Sequence, residues 1–162
     1  MKNIAVITTG GTIGSILTKD SVTVDRSARR IANEIEVAKN KLGCSVTVYS
    51  PVNKHSEDFD VTDWGLILAS VLEACNSDAD SIVITHGTDT LVYSVDAVLA
   101  FSHLWNKKIC FTGSFYSPDH PESDTSLSLL AALEFSLSPH PSNGVYVAFR
   151  SNRYNSEAHI LN

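Results

Sequence analysis

Two uninterrupted apolar runs, each followed by glycine and hydroxyl side chains, dominate the hydrophobic pattern of the chain. The first covers residues 4–8 (IAVIT) and the second residues 81–85 (SIVIT). Neither run alternates apolar with polar positions, which is typical of strands buried on both faces in a parallel sheet. The glycine and hydroxyl residues that follow each run predict a tight turn at the carboxyl end of the strand.

Apolar residues recur at helical spacing in four further segments, and three other apolar runs are short enough to be strands. The predicted helices cover residues 26–39, 62–75 and 91–103, and a fourth begins after Ser123 or Asp124 and runs to residue 137. The other predicted strands cover residues 44–49, 109–112 and 145–149. Asp60 and Thr62 are the candidate caps of the second helix. Residues 15–25 are polar and β-branched without helical periodicity, which predicts a mobile loop.

Five strands that alternate with four helices predict an α/β fold with right-handed crossovers. We expect a three-layer, open parallel sheet of the flavodoxin-like type, with strand order 2-1-3-4-5. The order reverses between the first and third strands, so the two glycine turns are expected to face one crevice. Residues 1–150 are expected to form this single domain, and residues 151–162 a polar C-terminal tail.

Composition favours a small-molecule function. The 162 residues carry a net charge of −6, with acidic and basic residues scattered along the chain. This argues against nucleic-acid and membrane partners, and no apolar run approaches the ~20 residues of a membrane span. The three cysteines lack CxxC spacing, which favours buried free thiols and a reducing compartment. Because no hydrophobic leader precedes the first strand, we expect a cytoplasmic protein.

The hydroxyl groups of the two turns are candidates for nucleophilic catalysis. Thr12 follows a glycine pair, and Thr88 and Asp89 follow a single glycine. An alcohol becomes a nucleophile when a base removes its proton and donors stabilise the oxyanion that it creates. The backbone amides of Gly11 and Thr88 are candidate donors, and the Lys107 amine is a candidate for proton transfer at Thr88 and Asp89. This set suits acyl transfer. Motif spacings for a metal site or a nucleotide cofactor are absent from the sequence, so neither group is expected.

Two signatures resemble those of the bacterial-type L-asparaginase family. They are residues 9–14 (TGGTIG) and residues 86–90 (HGTDT). Residues 55–58 (HSED) are similar to the family's substrate-carboxylate loop, and residues 107–113 (KKICFTG) to the segment that bears its catalytic lysine. Without a gap after this segment, Asp124 falls on the family's aspartate at the start of the next helix. The resemblance covers nearly the whole chain.

The resemblance implies a hydrolase that converts asparagine, or glutamine, to the free acid and ammonia through an acyl-threonine intermediate. Thr12 would be the nucleophile, and Thr88, Lys107 and Asp89 would form the proton-handling group of the second threonine, with Asp89 also holding the substrate's α-amino group. The other substrate-binding positions would be Gly11, Ser56, Glu57 and Gly87, with Ser56 at the α-carboxylate. The resemblance also implies a homo-oligomer or an association with another subunit.

Three features depart from the family pattern. Glu57 stands where the family usually has glutamine or a small hydroxyl residue, which points to another small amide as substrate. Residues 15–25 contain no tyrosine, although the family has one in this loop. Family members are also about twice as long, so a fragment or a shortened relative is expected. The alternative function is a binding module or partner subunit that has kept the pocket and lost turnover. His86 is expected to be structural.

Overall fold

Eight strands and four helices follow one another in the part of the chain that the computed structural model describes, which is residues 1–19, 21–25, 28–139, 143–150 and 158–161. The strands are β1 (Asn3–Thr8), β2 (Ser15–Leu17), β3 (Val22–Val24), β4 (Ser45–Tyr49), β5 (Ser81–Thr85), β6 (Lys108–Thr112), β7 (Gly144–Arg150) and β8 (Ala158–Leu161). The helices are α1 (Arg29–Leu42), α2 (Val61–Asn76), α3 (Leu91–Ala100) and α4 (Thr125–Leu137).

The main sheet has the order β4-β1-β5-β6-β7-β8. Its first five strands are parallel. Numbered as the five predicted strands, they give 2-1-3-4-5, so the predicted order and fold class are confirmed. β8 is an addition that the sequence pattern did not predict, because it lies within the stretch read as a polar tail. It pairs antiparallel with β7, and the intervening residues 151–157 lie outside the described residues.

Each face of the sheet is covered by two helices, which gives the predicted three layers. Alternate residues of β1 point to opposite faces: Ile4 and Val6 belong to the cluster that includes α1 and α4, whereas Ala5 and Ile7 belong to the cluster that includes α2 and α3. Because both faces are covered, the strands are apolar throughout instead of alternating. None of the helices in the described ranges is long and apolar enough to cross a membrane.

The helix ends follow from local side chains. Asp60 caps α2, as predicted: its carboxylate accepts the Thr62 and Asp63 N–H groups at 2.7 and 3.2 Å, and the Asp63 carboxylate accepts the Asp60 N–H. This reciprocal pair is a capping box. At the end of α1, Gly43 adopts φ 63°, the left-handed conformation that commonly terminates a helix. At α4, the Ser123 hydroxyl accepts the Thr125 N–H at 3.3 Å.

A short hairpin replaces the loop predicted for residues 15–25. β2 and β3 pair antiparallel, and the Leu17 N–H donates to the Asp119 carboxylate at 3.0 Å. Asp119 lies in the loop after β6 and also contacts Arg30 of α1 at 3.8 Å. The hairpin is therefore tied to two other parts of the domain. Its three-residue strands are too short for their periodicity to stand out in the sequence.

The three cysteines are buried and unbridged, as predicted. Burial raises the pKa of Cys110 to about 12 and also raises the pKa of Cys44 and Cys75. Burial disfavours the charged thiolate, which is the reactive form of cysteine. Candidate nucleophiles are therefore the hydroxyl groups at the sheet edge.

Candidate active site

The turn after β1 is shaped by two glycines with left-handed backbone angles. Gly10 has φ 92° and Gly11 has φ 74°. The turn runs against the loop after β4, where Gly10 forms a parallel bridge with Lys54 and the Gly11 N–H donates to the Lys54 carbonyl at 2.9 Å. A Cβ on Gly10 would lie 2.7 Å from the Lys54 backbone nitrogen. Backbone angles and space both require glycine here.

The Gly11–Lys54 hydrogen bond removes one predicted function. The Gly11 amide was expected to stabilise an oxyanion, but its N–H already donates to the Lys54 carbonyl. A backbone N–H is a single donor, so the prediction for Gly11 is wrong in this respect. The sequence of the turn does not reveal this pairing, because the acceptor lies in a loop more than forty residues away.

Thr12 lies at the start of a 3-10 turn that covers Thr12–Gly14. Its side chain is half-buried, and its hydroxyl has no hydrogen-bond partner among the residues that the structure describes. The turn is fixed by its neighbours instead, since the Ser15 hydroxyl donates to the Gly11 carbonyl at 2.7 Å. A threonine that only caps backbone would use its hydroxyl for that purpose. The Thr12 hydroxyl is thus available to a ligand.

The turn after β5 reaches the same edge of the sheet and touches the first turn. A Cβ on Gly87 would lie 3.3 Å from the Gly11 Cα and 2.6 Å from the Ser56 Oγ. Thr12 and Thr88 are each one residue, about 3.8 Å, beyond this contact. The predicted convergence of the two turns is therefore confirmed. The side chains of Thr88 and Asp89 have no hydrogen-bond partner within the described residues.

Ser56 completes the contact between the turns. It is only 1% exposed, and its hydroxyl oxygen accepts the Thr90 N–H at 3.3 Å while its carbonyl accepts the Thr90 hydroxyl at 2.9 Å. The Ser56 proton itself is left to donate. Glu57, the next residue, is exposed. The 3-10 turn Ser56–Asp58 thus brings a buried hydroxyl and an exposed carboxylate to the edge of the crevice.

His86 is structural, as the sequence predicted. Its Nδ1 lies 2.7 Å from the Gly87 carbonyl and its Nε2 lies 2.7 Å from the Ser94 hydroxyl, which accepts the Trp64 indole N–H at 2.9 Å. A carbonyl can only accept, so Nδ1 carries the proton and Ser94 donates to Nε2. Burial lowers the pKa of His86, which agrees with this neutral form. Both ring nitrogens are occupied, so the imidazole is no base for the threonines.

Lys107 lies away from both turns, which corrects the prediction that its amine reaches Thr88 and Asp89. Its ammonium donates to the Ala74 and Ser77 carbonyls, at 2.9 and 2.7 Å, at the end of α2. That helix end lies at the amino edge of the sheet, where β6 begins. The five residues of β6, at about 3.3 Å each, separate it from the carboxyl edge by roughly 15 Å. A lysine near a helix C-terminus interacts favourably with the helix dipole.

An apolar cavity of about 270 Å³ adjoins Thr88, and the sequence analysis did not identify it. Its lining consists of Thr88, Leu91, Val92, Phe115, Val147 and Phe149. The rings of Phe115 and Phe149 meet edge to face, with centroids 5.0 Å apart. Asp124 holds this loop, because its carboxylate accepts the Phe115 and Tyr116 N–H groups at 3.0 Å. Asp124 occupies the N-cap position of α4 without capping it through its side chain.

Several known proteins are similar to this chain in sequence. The family profile described as Asparaginase, N-terminal matches residues 3–158. The chain is 34% identical, over 144 residues, to an L-asparaginase of Thermococcus kodakarensis, covering 89% of this chain and 43% of the relative. It is 33% identical, over 140 residues, to a glutamyl-tRNA(Gln) amidotransferase subunit of Methanosarcina acetivorans, covering 85% of this chain and 32% of the relative.

Solved structures give the same result. The thermostable L-asparaginase from Thermococcus kodakarensis superposes with a TM-score of 0.70 at 31% identity, covering 91% of this chain and 44% of that one. L-asparaginase I from Vibrio cholerae gives a TM-score of 0.76 at 26% identity, covering 98% and 50%. The chain therefore spans half or less of the length of these relatives.

Proposed function

We propose that this chain, which belongs to the asparaginase family, hydrolyses the side-chain amide of asparagine or of a similar small amino acid such as glutamine. The observation that carries the proposal is the contact between the Gly11 and Gly87 turns. Each turn presents a threonine whose hydroxyl has no partner among the described residues. Two free hydroxyl groups beside one backbone contact suit a nucleophile and a group that handles its proton.

In this proposal the Thr12 oxygen attacks the amide carbon, its hydroxyl proton passes to the amide nitrogen, and the C–N bond breaks to release ammonia as the acyl-threonine forms. Water then hydrolyses the ester and releases the acid. Thr88 and Asp89 face the reacting groups, with the Asp89 carboxylate binding the substrate's α-amino group and the Thr88 N–H stabilising the oxyanion. Ser56 donates its free proton to the α-carboxylate. The exposed Glu57 beside it repels that carboxylate, so free asparagine is expected to bind more weakly than it would if residue 57 were uncharged.

A second function, binding without turnover, is favoured by the position of Lys107. The family resemblance makes this lysine the base, yet its ammonium binds the end of α2 at the other edge of the sheet. In this alternative the chain is a binding module or one component of an assembly. The Methanosarcina relative, itself an amidotransferase subunit, supports this alternative.

Ammonia release from asparagine and glutamine distinguishes the two functions. If Thr12 is the nucleophile, Thr12→Ala is expected to lower kcat by at least about a thousandfold without changing the free energy of unfolding, because the chemistry requires its oxygen. Thr47→Ala, on the exposed edge strand β4, is the matched control and is expected to retain full activity. Aspartate binding by calorimetry without ammonia release would favour the second function. Absence of both binding and turnover would contradict both functions.

A further inference from the structure

A second cavity, of about 220 Å³, opens at the amino edge of the sheet. Lys2, Ser81 and Lys108 line it at the beginnings of β1, β5 and β6, and Ser136 and Ser138 line it from the end of α4. We call it the amino-edge cavity. Ser81 and Lys108 are register partners in neighbouring parallel strands, so their side chains lie on the same face of the sheet, the one that α4 covers.

Two ammonium groups converge on the amino-edge cavity. Lys2 donates to the Leu137 carbonyl at 2.7 Å. Lys108 is only 6% exposed and donates to the Phe135 and Ser138 carbonyls at 3.1 and 2.8 Å. Each ammonium has three N–H donors, so these carbonyls leave donors on both lysines, and the next contact of Lys108 is a long one of 3.4 Å to the Ser138 hydroxyl. Burial and the nearby charge of Lys2 lower the pKa of Lys108.

Two buried hydroxyl groups in the same cavity are unpaired within the described part of the chain. Ser81 is 2% exposed and Ser136 is 5% exposed. Neither side-chain oxygen has a hydrogen-bond partner among the described residues, and both residues line the cavity. Buried polar groups are almost always hydrogen-bonded in folded proteins. Capping of α4 accounts for the carbonyl contacts of the lysines, but it does not account for these two hydroxyl groups.

The charges in the cavity favour an anion. Lys2 and Lys108 contribute two positive charges, and among the described lining residues one carboxylate, that of Asp80, opposes them. The Asp80 carboxylate accepts the Asn3 N–H at 2.8 Å, so it is already bound to the backbone of β1. The described charged side chains that line the cavity therefore sum to one net positive charge. Ammonium and hydroxyl donors reach the cavity from the beginnings of three strands and from one helix. Oxyanions prefer such charge-assisted donors, whereas a cation would be repelled by the two lysines.

We propose that the amino-edge cavity binds a small oxyanion, either inorganic phosphate or the phosphoryl group of a small metabolite. Lys2 and Lys108 donate to its oxygens from one side, and the hydroxyls of Ser81 and Ser136 donate from the floor of the cavity. Several acceptor oxygens on one tetrahedral group match donors that approach from different elements. The site lies at the opposite edge of the sheet from the two threonines and does not depend on the proposed amide hydrolysis.

Calorimetric titration of the full chain with inorganic phosphate, in chloride buffer of constant ionic strength, tests the proposal. The expected result is saturable binding, accompanied by a rise in Tm as phosphate is added. Lys108→Met is expected to weaken the binding by at least about tenfold, because a charge-assisted donor is lost. Ser81→Ala is expected to weaken it about threefold to tenfold, since a neutral donor contributes less.

Lys41→Met, on the exposed end of α1, is the matched control and is expected to bind phosphate like the wild type. Because Lys108 is buried, Lys108→Met can fail to fold. Lys2→Met, at an exposed position, therefore provides a second test of whether a lysine charge contributes to phosphate binding. Absence of saturable phosphate binding in the wild type would overturn the proposal. Phosphate affinities equal to that of the wild type in both Lys2→Met and Ser81→Ala would also overturn the proposal. Tighter binding of glycerol phosphate than of phosphate would support a metabolite as the source of the oxyanion, and the reverse order would support free phosphate.

Discussion

Lys107 at the amino edge of the sheet and the two threonines at the carboxyl edge are held in opposite ways. At the carboxyl edge, backbone contacts between the Gly11 and Gly87 turns fix the geometry, and the hydroxyls of Thr12 and Thr88 have no partner within the described residues. At the amino edge, the Lys107 ammonium binds the carbonyls at the end of α2. Lys107 thus stabilises a helix end, whereas the two threonines at the carboxyl edge are left to a ligand.

A single added atom, the Cβ of an alanine at position 11, is expected to disrupt the contact between the glycine turns. Of the changes considered, this one is expected to have the largest effect on the free energy of unfolding. Gly11→Ala places a Cβ against the backbone of Gly87, at φ 74°. Since neither backbone can move aside, the free energy of unfolding is expected to fall by more than about 3 kcal/mol. Denaturation in urea measures the loss.

Gly43→Ala is the matched control for Gly11→Ala. Gly43 has a similar φ of 63°, but nothing lies within 4 Å of the added Cβ. Only the backbone strain remains, and it costs about 1 kcal/mol. Equal losses in the two variants would mean that the glycine turns do not touch as described.

Lys107→Met tests the opposite edge. Two hydrogen bonds to the end of α2 are lost, so the free energy of unfolding is expected to fall by about 1–2 kcal/mol. Asparagine turnover, or aspartate binding, is expected to be unchanged, because β6 separates Lys107 from the threonines. Urea denaturation and ammonia release measure the two effects. Complete loss of turnover in a stable Lys107→Met variant would contradict the comparison of the edges.

The protonation of His86 is expected to have the smallest effect on stability. Both of its ring nitrogens are hydrogen-bonded within the described residues, unlike the hydroxyls of Thr12 and Thr88 at the same edge of the sheet. Burial lowers its pKa in the folded chain, whereas an unfolded histidine titrates near ~6.5. Stability from this group is therefore fully present above about pH 6.5 and is lost as the pH falls toward the lowered pKa, by at most about 1.4 kcal/mol per pH unit.

Unfolding free energies between pH 7.5 and 5.5, roughly the window set by these pKa values, measure this loss. His86→Gln is expected to flatten the dependence, because glutamine takes up no proton. His103→Gln, which removes an exposed imidazole, is the control. A His86 imidazole that takes up its proton in the nitrogen NMR spectrum at or above about pH 6.5, the range of an unfolded histidine, would contradict the assignment.

The sequence predicted most of the fold because its strands and helices follow strong local patterns. Apolar runs such as residues 4–8 identified buried strands, and the glycine and hydroxyl residues after them located the crevice. The short strands β2, β3 and β8 were missed, because β2 and β3 are only three residues long each and β8 depends on pairing with the distant β7. Such long-range partners leave no periodic signal.

The position of Lys107 was predictable from strand direction alone. A residue that precedes a parallel strand lies at the amino edge, whereas the two turns follow their strands and lie at the carboxyl edge. The family resemblance predicted that Lys107 lies beside the threonines. The direction of β6 instead places Lys107 at the opposite edge of the sheet from them. The pairing of the Gly11 N–H with Lys54, in contrast, depends on how two loops meet and could not be predicted from the turn itself.

The contact of Gly11 with Gly87 also determines when the spacing of the two threonines is established. No rotatable side chain lies between the two main chains, so the hydroxyl-bearing residues acquire their separation as the strands assemble, before any substrate arrives. The conformational entropy of the two turns is therefore lost when the chain folds, and its loss does not weaken the binding of a ligand. A ligand that bridges both turns meets a preorganised receptor.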